Sequence, residues 1–241
     1  MASDRTSASG PAAVETSSLL TEKGFVHGFT TRAGTVKDAG VDERALYLVS
    51  QVHGSTVLRA NGPPGEFRKQ EADAIVLEPG QAGAVRVADC VPILVGDSVS
   101  GRAATIHAGW RGVASGVVPA AIAQLRGHPA DLTAAIGPCI EACCFEVGKE
   151  VANQLAFAVP SPGVLVRAEG GKVWIDLVAA VRAQLEACGI PPHQIERVGA
   201  CTKHHGDRYH SFRRDGATSG RMLGVIQARS PRSPRAPYVA A

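Results

Sequence analysis

The sequence predicts an α/β (α+β) layered sandwich with mixed sheets. Many short runs rich in Val and Ile are separated by Gly, Pro and Asp, a pattern typical of strands bounded by turns. Three longer segments carry apolar residues at helical spacing. Strands and helices do not alternate strictly, which favours a mixed sheet over a repeated strand–helix unit. A chain of 241 residues is long enough to bury the core of such a domain.

Ten segments are predicted as strands because each is short, apolar and bounded by turn residues. They are residues 24–31, 55–59, 73–77, 83–87, 91–95, 103–107, 132–136, 173–175, 195–200 and 222–227. The predicted helices are residues 112–125, 147–157 and 177–188. Asp176 is the expected N-cap of the last helix, and Gly189 is its expected stop.

The composition of the two ends differs from that of the middle. Residues 1–18 are dominated by Ala, Ser and Gly and are expected to be a disordered extension. Residues 19–228 are expected to form a single domain. Residues 229–241 are rich in Pro, Ser and Arg and are also expected to be disordered.

Composition also bounds the function. A net charge of +3 and 5% aromatic residues argue against a nucleic-acid partner. No stretch reaches the ~18 to 20 apolar residues that span a bilayer. The first residues contain no apolar signal region. The six cysteines could form disulfides, but the adjacent pair Cys143–Cys144 and the missing signal favour reduced thiols and a cytoplasmic protein.

Three residues at the edges of predicted strands are candidate metal ligands. His53, Cys90 and His107 offer two imidazoles and one thiolate, which are borderline-soft donors that suit zinc. Three protein ligands leave one tetrahedral position open, as in catalytic zinc sites. Spacing alone does not decide the matter, because a buried thiol and two ordinary histidines give the same pattern.

Two residues beside these ligands are candidates for chemistry. Arg111 lies where a predicted strand joins a predicted helix, and it could hold an anion together with backbone amides. The alternative is a tight turn with a surface arginine. Asp89 could orient a ligand or carry a proton, and the alternative is a strand-end cap.

Two further segments carry reactive side chains. In residues 201–216, His204 and His205 could bind metal, and Arg213 and Arg214 could contact phosphate or pair with Asp215. The cysteines at positions 139, 143 and 144 suggest a metal or redox site, but their spacing is not that of a zinc knuckle. We therefore expect these cysteines to be small packing residues.

Seven short motifs occur in a characteristic order between residues 24 and 227. They are QVHG, ADA, ADCVP, HAGWRG, IGPCIEACCFEVG, FRRDG and GRM. Together they resemble the laccase-domain or multicopper polyphenol oxidase family. That family is also called YfiH-like, the peptidoglycan editing factor, or purine nucleoside phosphorylase. Carried over residue by residue, the family's metal ligands are His53, Cys90 and His107.

The resemblance implies an αββα-type sandwich with mixed sheets and a zinc cofactor, with copper as the alternative metal. It also implies phosphorolysis of adenosine, inosine, guanosine and 5′-methylthioadenosine, together with adenosine deamination. The partners would be a small-molecule nucleoside and phosphate, and the oligomeric state stays open. The sequence does not support the laccase label, since only eight histidines occur, none in an HxH pair, and a laccase needs several copper centres.

These implications assign roles to the candidate residues. Arg111 would bind phosphate with Arg213 or Arg214 assisting, and Asp89 would carry the proton.

A rival hypothesis is a metal-free amide hydrolase of peptidoglycan precursors with Cys90 as nucleophile and His107 as base. The chain departs from the family between residues 34 and 51, where a Gly-Gly-Ser turn, an Asn-Leu-Gly segment and a helix are usual but a short linker stands.

Overall fold

Two large mixed sheets pack face to face. The structure is a computed structural model, and it describes residues 12–231. Fourteen strands occur in that part of the chain: β1 Val14–Glu15, β2 Val26–Thr30, β3 Leu46–Tyr47, β4 Val57–Arg59, β5 Ala74–Leu77, β6 Ala82–Val87, β7 Val91–Asp97, β8 Ala103–Ala108, β9 Leu132–Ile136, β10 Glu146–Val147, β11 Leu165–Glu169, β12 Lys172–Ile175, β13 Ile195–Arg197 and β14 Met222–Gln227.

The helices are fewer and mostly short. The α-helices in the described residues are α1 Ser18–Glu22, α2 Pro64–Phe67, α3 Trp110–Ala114, α4 Val117–Leu125, α5 Lys149–Ala158, α6 Leu177–Ala187 and α7 Phe212–Asp215. Single turns of 3₁₀ helix cover Val36–Ala39, Glu43–Ala45, Pro129–Asp131, Pro192–Gln194 and Gly216–Thr218. None of the helices between residues 12 and 231 is long and apolar enough to cross a membrane.

The sheets are mixed, as predicted. The six-stranded sheet has the order β13-β9-β7-β8-β5-β4, with parallel pairs at both edges and antiparallel pairs inside. The five-stranded sheet has the order β1-β2-β14-β6-β3 and is parallel only between β3 and β6. A small antiparallel sheet, β10-β12-β11, stands apart from both.

Alternating side chains of the six-stranded sheet build two cores. In β7, Ile93 and Val95 face a core shared with helices α4 and α6, whereas Leu94 faces the five-stranded sheet. This two-residue period is what a strand buried on both faces requires. Phe29 and Ile226 meet Leu94 from the opposite sheet, and all these side chains are fully buried.

The outer face of the five-stranded sheet has a different cover. The segment around the 3₁₀ helix Val36–Ala39 packs there against Ala84 and Val225. This segment belongs to the short linker in which the sequence departs from the family pattern. It closes the apolar face of the sheet without an α-helix.

Most predicted elements are confirmed, including the capped helix α6. Asp176 Oδ1 accepts a hydrogen bond from Ala179 N at 2.8 Å, as expected of an N-cap. The predicted helix over 112–125 was wrong in one respect, because it is broken into α3 and α4. The break falls at Gly116, whose φ of +82° lies in the left-handed region.

The expectation of disorder up to residue 18 was also wrong for the residues that the structure describes. Strand β1 pairs with β2, and Ser17 caps α1 by accepting a hydrogen bond from Leu20 N at 3.1 Å. The Glu15 carboxylate accepts hydrogen bonds from the Tyr209 hydroxyl at 2.7 and 2.8 Å and pairs with Arg208. Residues 1–11 and 232–241, for which disorder was also predicted, lie outside the described residues.

Candidate metal centre and active-site cavity

The two strands β7 and β8 bring Cys90 and His107 together. They pair antiparallel with Val91 opposite Ala108, so Cys90, just before β7, lies beside the end of β8. His107 is 2% exposed, and strand alternation points its side chain toward the five-stranded sheet. The third candidate ligand, His53, lies on an irregular segment with a φ of +61°.

A buried carboxylate, Asp73, fixes this arrangement. Asp73 directly precedes β5 and is fully buried. Its Oδ1 accepts hydrogen bonds from His53 N at 2.9 Å and His107 Nδ1 at 2.8 Å, and its Oδ2 accepts from Gly54 N at 2.7 Å. One side chain therefore positions the backbone of one histidine and the ring of the other.

The His107 ring is held in one orientation by this contact. Because Nδ1 is bonded to Asp73, Nε2 is the nitrogen left to act as a ligand or a base. A carboxylate behind a ligating histidine is the usual second partner in metal sites, where it orients the ring and raises its basicity.

His53, Cys90 and His107 form a compact donor set. Their ligand atoms all lie within 4.8 Å of one another, and the two imidazole rings cross at 79° with centroids 4.8 Å apart. We call these three residues the cavity cluster. Gly109 leaves room beside it, since a Cβ there would lie 3.0 Å from His53 Cδ2 and 3.1 Å from Cys90 Sγ. Two nitrogens and one sulfur with space beside them fit a zinc ion.

Without a metal, the same groups form an ion pair. Burial alone would raise the pKa of Cys90, but hydrogen bonds with His107 and His53 outweigh it and lower that pKa to about 6. Burial alone would lower the pKa of His107, but its bonds to Asp73 and Cys90 raise it to about 9. At neutral pH, Cys90 is therefore a thiolate beside a protonated imidazole.

A cavity of about 790 Å³ opens over the cavity cluster. Its volume lies in the range of small-molecule sites. Apolar and aromatic side chains line one part, and four arginines line another. The aromatic and apolar residues are Trp110, Ile140, Phe145 and Phe212, and the arginines are Arg86, Arg111, Arg213 and Arg221.

Three of the candidate residues from the sequence line this cavity: Asp89, Arg111 and Arg213. Arg111 is exposed and stacks on Trp110 with its guanidinium carbon 4.4 Å from the ring centroid. Arg213 Nη1 donates a hydrogen bond to Glu146 O at 2.8 Å. Their roles stay predictions.

Asp89 has two fixed partners. Its Oδ1 accepts a hydrogen bond from Thr202 Oγ1 at 2.6 Å, and its Oδ2 accepts one from Arg213 N at 2.6 Å. Asp89 has a φ of +90°, an uncommon conformation for a residue other than glycine. These contacts tie the start of α7 to the cavity wall.

The expected substrate role of Arg214 needs correction. Its guanidinium makes five hydrogen bonds within the protein: two to the Asp215 carboxylate and one each to the carbonyl oxygens of Thr202, Lys203 and Tyr209. Arg214 does not line the cavity. A guanidinium has five N–H groups, so none is left for a ligand.

Sequence reasoning missed Asp73, although the motif that contains it was recognised. The signal was a lone carboxylate at the start of a strand that is otherwise apolar. It also missed Arg86 and the aromatic cavity residues, because their convergence depends on how the two sheets pack.

The fold and the cavity together identify the class of protein. It is a mixed α/β sandwich in which two histidines and one cysteine lie at a cavity of small-molecule size. A family model described as "Multi-copper polyphenol oxidoreductase laccase" matches residues 27–229. The chain belongs to this family. Its motifs resemble those of the family's YfiH-like members.

Related proteins carry names that point to one activity. A purine nucleoside phosphorylase of Streptomyces coelicolor is 39% identical over 194 residues, which are 79% of this chain and 78% of that protein. The purine nucleoside phosphorylase YfiH of Escherichia coli is 33% identical over 179 residues, covering 74% of this chain and 72% of that protein.

Solved structures share the fold. YlmD from Geobacillus stearothermophilus superposes with a TM-score of 0.78 and 28% identity, covering 86% of this chain and 93% of that one. YfiH from Bacillus licheniformis gives a TM-score of 0.77 and 26% identity, covering 84% of this chain and 92% of that one.

Proposed function

We propose that this protein is a zinc-dependent purine nucleoside phosphorylase that also deaminates adenosine, acting in the cytoplasm. Its substrates would be adenosine, inosine, guanosine and 5′-methylthioadenosine. The observation that carries the proposal is the cavity cluster lying on the same cavity as cationic and aromatic side chains. The names of the relatives support the same activity.

Phosphate would bind at the arginines. Arg111 projects from the start of α3, where the stack on Trp110 limits the freedom of its guanidinium. Arg213 approaches from α7 and is anchored by the Glu146 carbonyl. Two planar guanidinium groups from different elements can hold an oxyanion in a fixed orientation.

The purine would bind against the aromatic side chains. Both phenylalanines line the cavity, and Phe145 is buried whereas Phe212 is 52% exposed. An aromatic face stacks on any purine, which fits a broad nucleoside specificity.

Phosphorolysis breaks the C1′–N9 bond and forms a bond from C1′ to a phosphate oxygen. The attacking hydrogen phosphate loses a proton and the departing purine gains one, and Asp89 is our candidate to carry the proton between them. Arg111 and Arg213 would hold the phosphate against the positive charge that develops at C1′. Asp89 accepts hydrogen bonds from Thr202 Oγ1 and Arg213 N. These bonds would hold the carboxylate at a fixed position relative to Arg213.

His53, Cys90 and His107 are the residues that would hold zinc. When bound, a zinc ion supplies a Lewis acid that polarises a substrate oxygen and lowers the pKa of water for deamination at purine C6. Asp73 would keep the His107 ring oriented and its Nδ1 protonated during the reaction.

The test is release of hypoxanthine from inosine, measured with and without phosphate. We expect phosphate-dependent release by the wild-type chain and none by Cys90→Ala purified in parallel. Equal release from both preparations would mean that the activity comes from a contaminant.

Arg111→Ala should raise the KM for phosphate about 10- to 100-fold, the cost of one hydrogen bond to a charged group. Arg44→Ala, an exposed arginine away from the cavity, is the control.

A second candidate function rests on a series of side-chain hydrogen bonds. The Asp73 carboxylate contacts the His107 imidazole, which in turn contacts the Cys90 thiol. Without metal, the Cys90 thiolate could attack an amide carbonyl of a peptidoglycan precursor, and His107 could give its proton to the departing amine. Water would then hydrolyse the thioester. A chelator should abolish activity if the phosphorylase proposal holds, whereas amide cleavage by metal-stripped protein that iodoacetamide blocks would favour the hydrolase.

A further inference from the structure

A second cluster of donor atoms lies outside the cavity. Cys143, Cys144, Cys201 and His204 place their sulfur and imidazole nitrogen atoms within 4.8 Å of one another. We call these four residues the Cys₃His cluster. None of them lines the cavity, and none belongs to the machinery assigned to phosphorolysis.

Two turns from distant parts of the chain build this cluster. Cys143 and Cys144 lie in the turn before β10, and Cys201 and His204 lie in the turn that follows β13. The segment that leads into the first turn is joined to the second turn by a parallel bridge between Cys139 and Cys201, with Thr202 N donating to Cys139 O at 2.9 Å. The backbone therefore holds the four side chains together without help from a disulfide.

The spacing within the second turn suits chelation. Cys201 and His204 are three residues apart, the interval at which a tight turn points two side chains at one ion, as in zinc knuckles. The Cys143–Cys144 pair adds two sulfurs from one turn. Cys144 and Cys201 are buried, whereas Cys143 and His204 are exposed, so the cluster has a closed inner side and an outer side open to metal entry.

The distances fit one ion. Zinc binds sulfur at about 2.3 Å and nitrogen at about 2.0 to 2.1 Å, so tetrahedral ligands lie roughly 3.5 to 3.8 Å apart. Cys143 Sγ and His204 Nδ1 are 3.4 Å apart, close to that separation. The remaining donor separations are at most 4.8 Å.

We propose that Cys143, Cys144, Cys201 and His204 bind a structural zinc ion, separate from the ion of the cavity cluster. The three thiols lose their protons to solvent on binding, which leaves the loaded site with a net charge of −1 that Lys203 in the same turn offsets. Four protein ligands close the coordination sphere, so this ion has no open position for substrate.

The ion would fasten two walls of the cavity. The turn with Cys143 and Cys144 leads into the segment that carries Phe145 and the carbonyl of Glu146, which accepts from Arg213. The turn with Cys201 carries Thr202, which donates to Asp89. The ion would thus fix the spacing between the aromatic wall and the anion site without touching substrate.

The experiment counts metal in the intact chain by inductively coupled plasma mass spectrometry after purification under reducing conditions. We expect about two zinc ions per wild-type chain and one in Cys90→Ala. Adding Cys143→Ser or His204→Ala to Cys90→Ala should remove the remaining ion, and adding His205→Ala should not. Both test residues are exposed, as is His205, so their substitution leaves the core unchanged.

Cobalt gives a second readout that does not depend on activity. Co²⁺ bound by Cys90→Ala should show an intense thiolate charge-transfer band and the visible bands of a tetrahedral site, both lost in the double variants. Cys90→Ala that holds no metal, holds copper in place of zinc, or has an intact mass two hydrogens lower because of a disulfide would overturn the proposal. Because the metal count and the cobalt spectrum are read without an activity assay, this result stands whether or not the phosphorylase proposal holds.

Discussion

The cavity cluster and the Cys₃His cluster contain similar ligand types but differ in their surroundings. The cavity cluster has three donors, a buried carboxylate behind one histidine, and open space beside Gly109. The Cys₃His cluster has four donors, and a backbone hydrogen bond from Thr202 N to Cys139 O joins the two segments that carry them. Under our two proposals, three donors with a carboxylate behind one histidine mark a catalytic metal site, and four donors mark a structural one.

The largest expected effect comes from removing the thiol of the cavity cluster. Cys90→Ala should reduce phosphorolysis to background while the far-ultraviolet circular dichroism spectrum stays that of the wild type, because Cys90 lies outside the main cores. His204→Ala should retain most of the activity. Equal losses in the two variants would break the distinction between the clusters.

The next largest effect concerns the carboxylate that only one cluster has. Asp73→Asn should lower the zinc affinity of the cavity cluster about 10- to 100-fold. This is the usual cost of losing the hydrogen-bond partner of a metal-ligating histidine. The measurement is zinc competition against a chromophoric chelator. Asp97→Asn, which removes another buried carboxylate far from both clusters, is the matched control. A similar loss in both variants would mean that Asp73 acts through stability alone.

A difference in alkylation rate of at least about tenfold should distinguish the thiols of metal-stripped protein. Cys90, with its pKa lowered to about 6, is mostly thiolate at pH 7, so its alkylation by iodoacetamide should rise as pH increases through about 6 and then level off. Partial burial and bonds to Cys201 and Cys144 raise the pKa of Cys143 to about 12, so it should react slowly although it is exposed. Peptide mapping by mass spectrometry from pH 5 to 8 measures both. Faster labelling of Cys143 than of Cys90 at pH 7 would contradict this order.

The smallest effect is thermal. An ion that binds only the folded chain stabilises it by about 2.7 kcal/mol when the free ion concentration is 100 times the dissociation constant. For a chain of this length, losing that contribution lowers Tm by roughly 5 to 10 °C. His204→Ala should show this shift in zinc-containing buffer and a much smaller one after chelation, whereas His205→Ala should show neither. A drop that zinc does not influence would assign the cluster a packing role.

The sequence predicted most strands and the cavity cluster because those signals are local or are carried by motifs. Runs such as 91–95 are strands in any packing, and QVHG, ADCVP and HAGWRG each contain one donor. The break at Gly116 was missed, because the apolar spacing continues across it while only the backbone conformation interrupts the helix.

Two of the remaining errors come from separation along the chain. The partner that Asp73 orients is 34 residues away, and Cys143 meets His204 across 61 residues. Arg214 resembled a phosphate ligand, but whether a guanidinium is free depends on which carbonyl groups the loop folds around it. Such contacts exist only once the sheets and turns have packed.

The paired edges of the two large sheets have a consequence for solubility. In the part of the chain that the structure describes, both sheets end on strands of two or three residues: β1 and β3 in one, β4 and β13 in the other. Such short edges offer little template for strand addition by a neighbouring molecule. Val14–Glu15 covers the five-residue strand β2, and it is fastened by Tyr209 and Arg208. A chain cut after Glu15 would uncover that strand and become prone to aggregate.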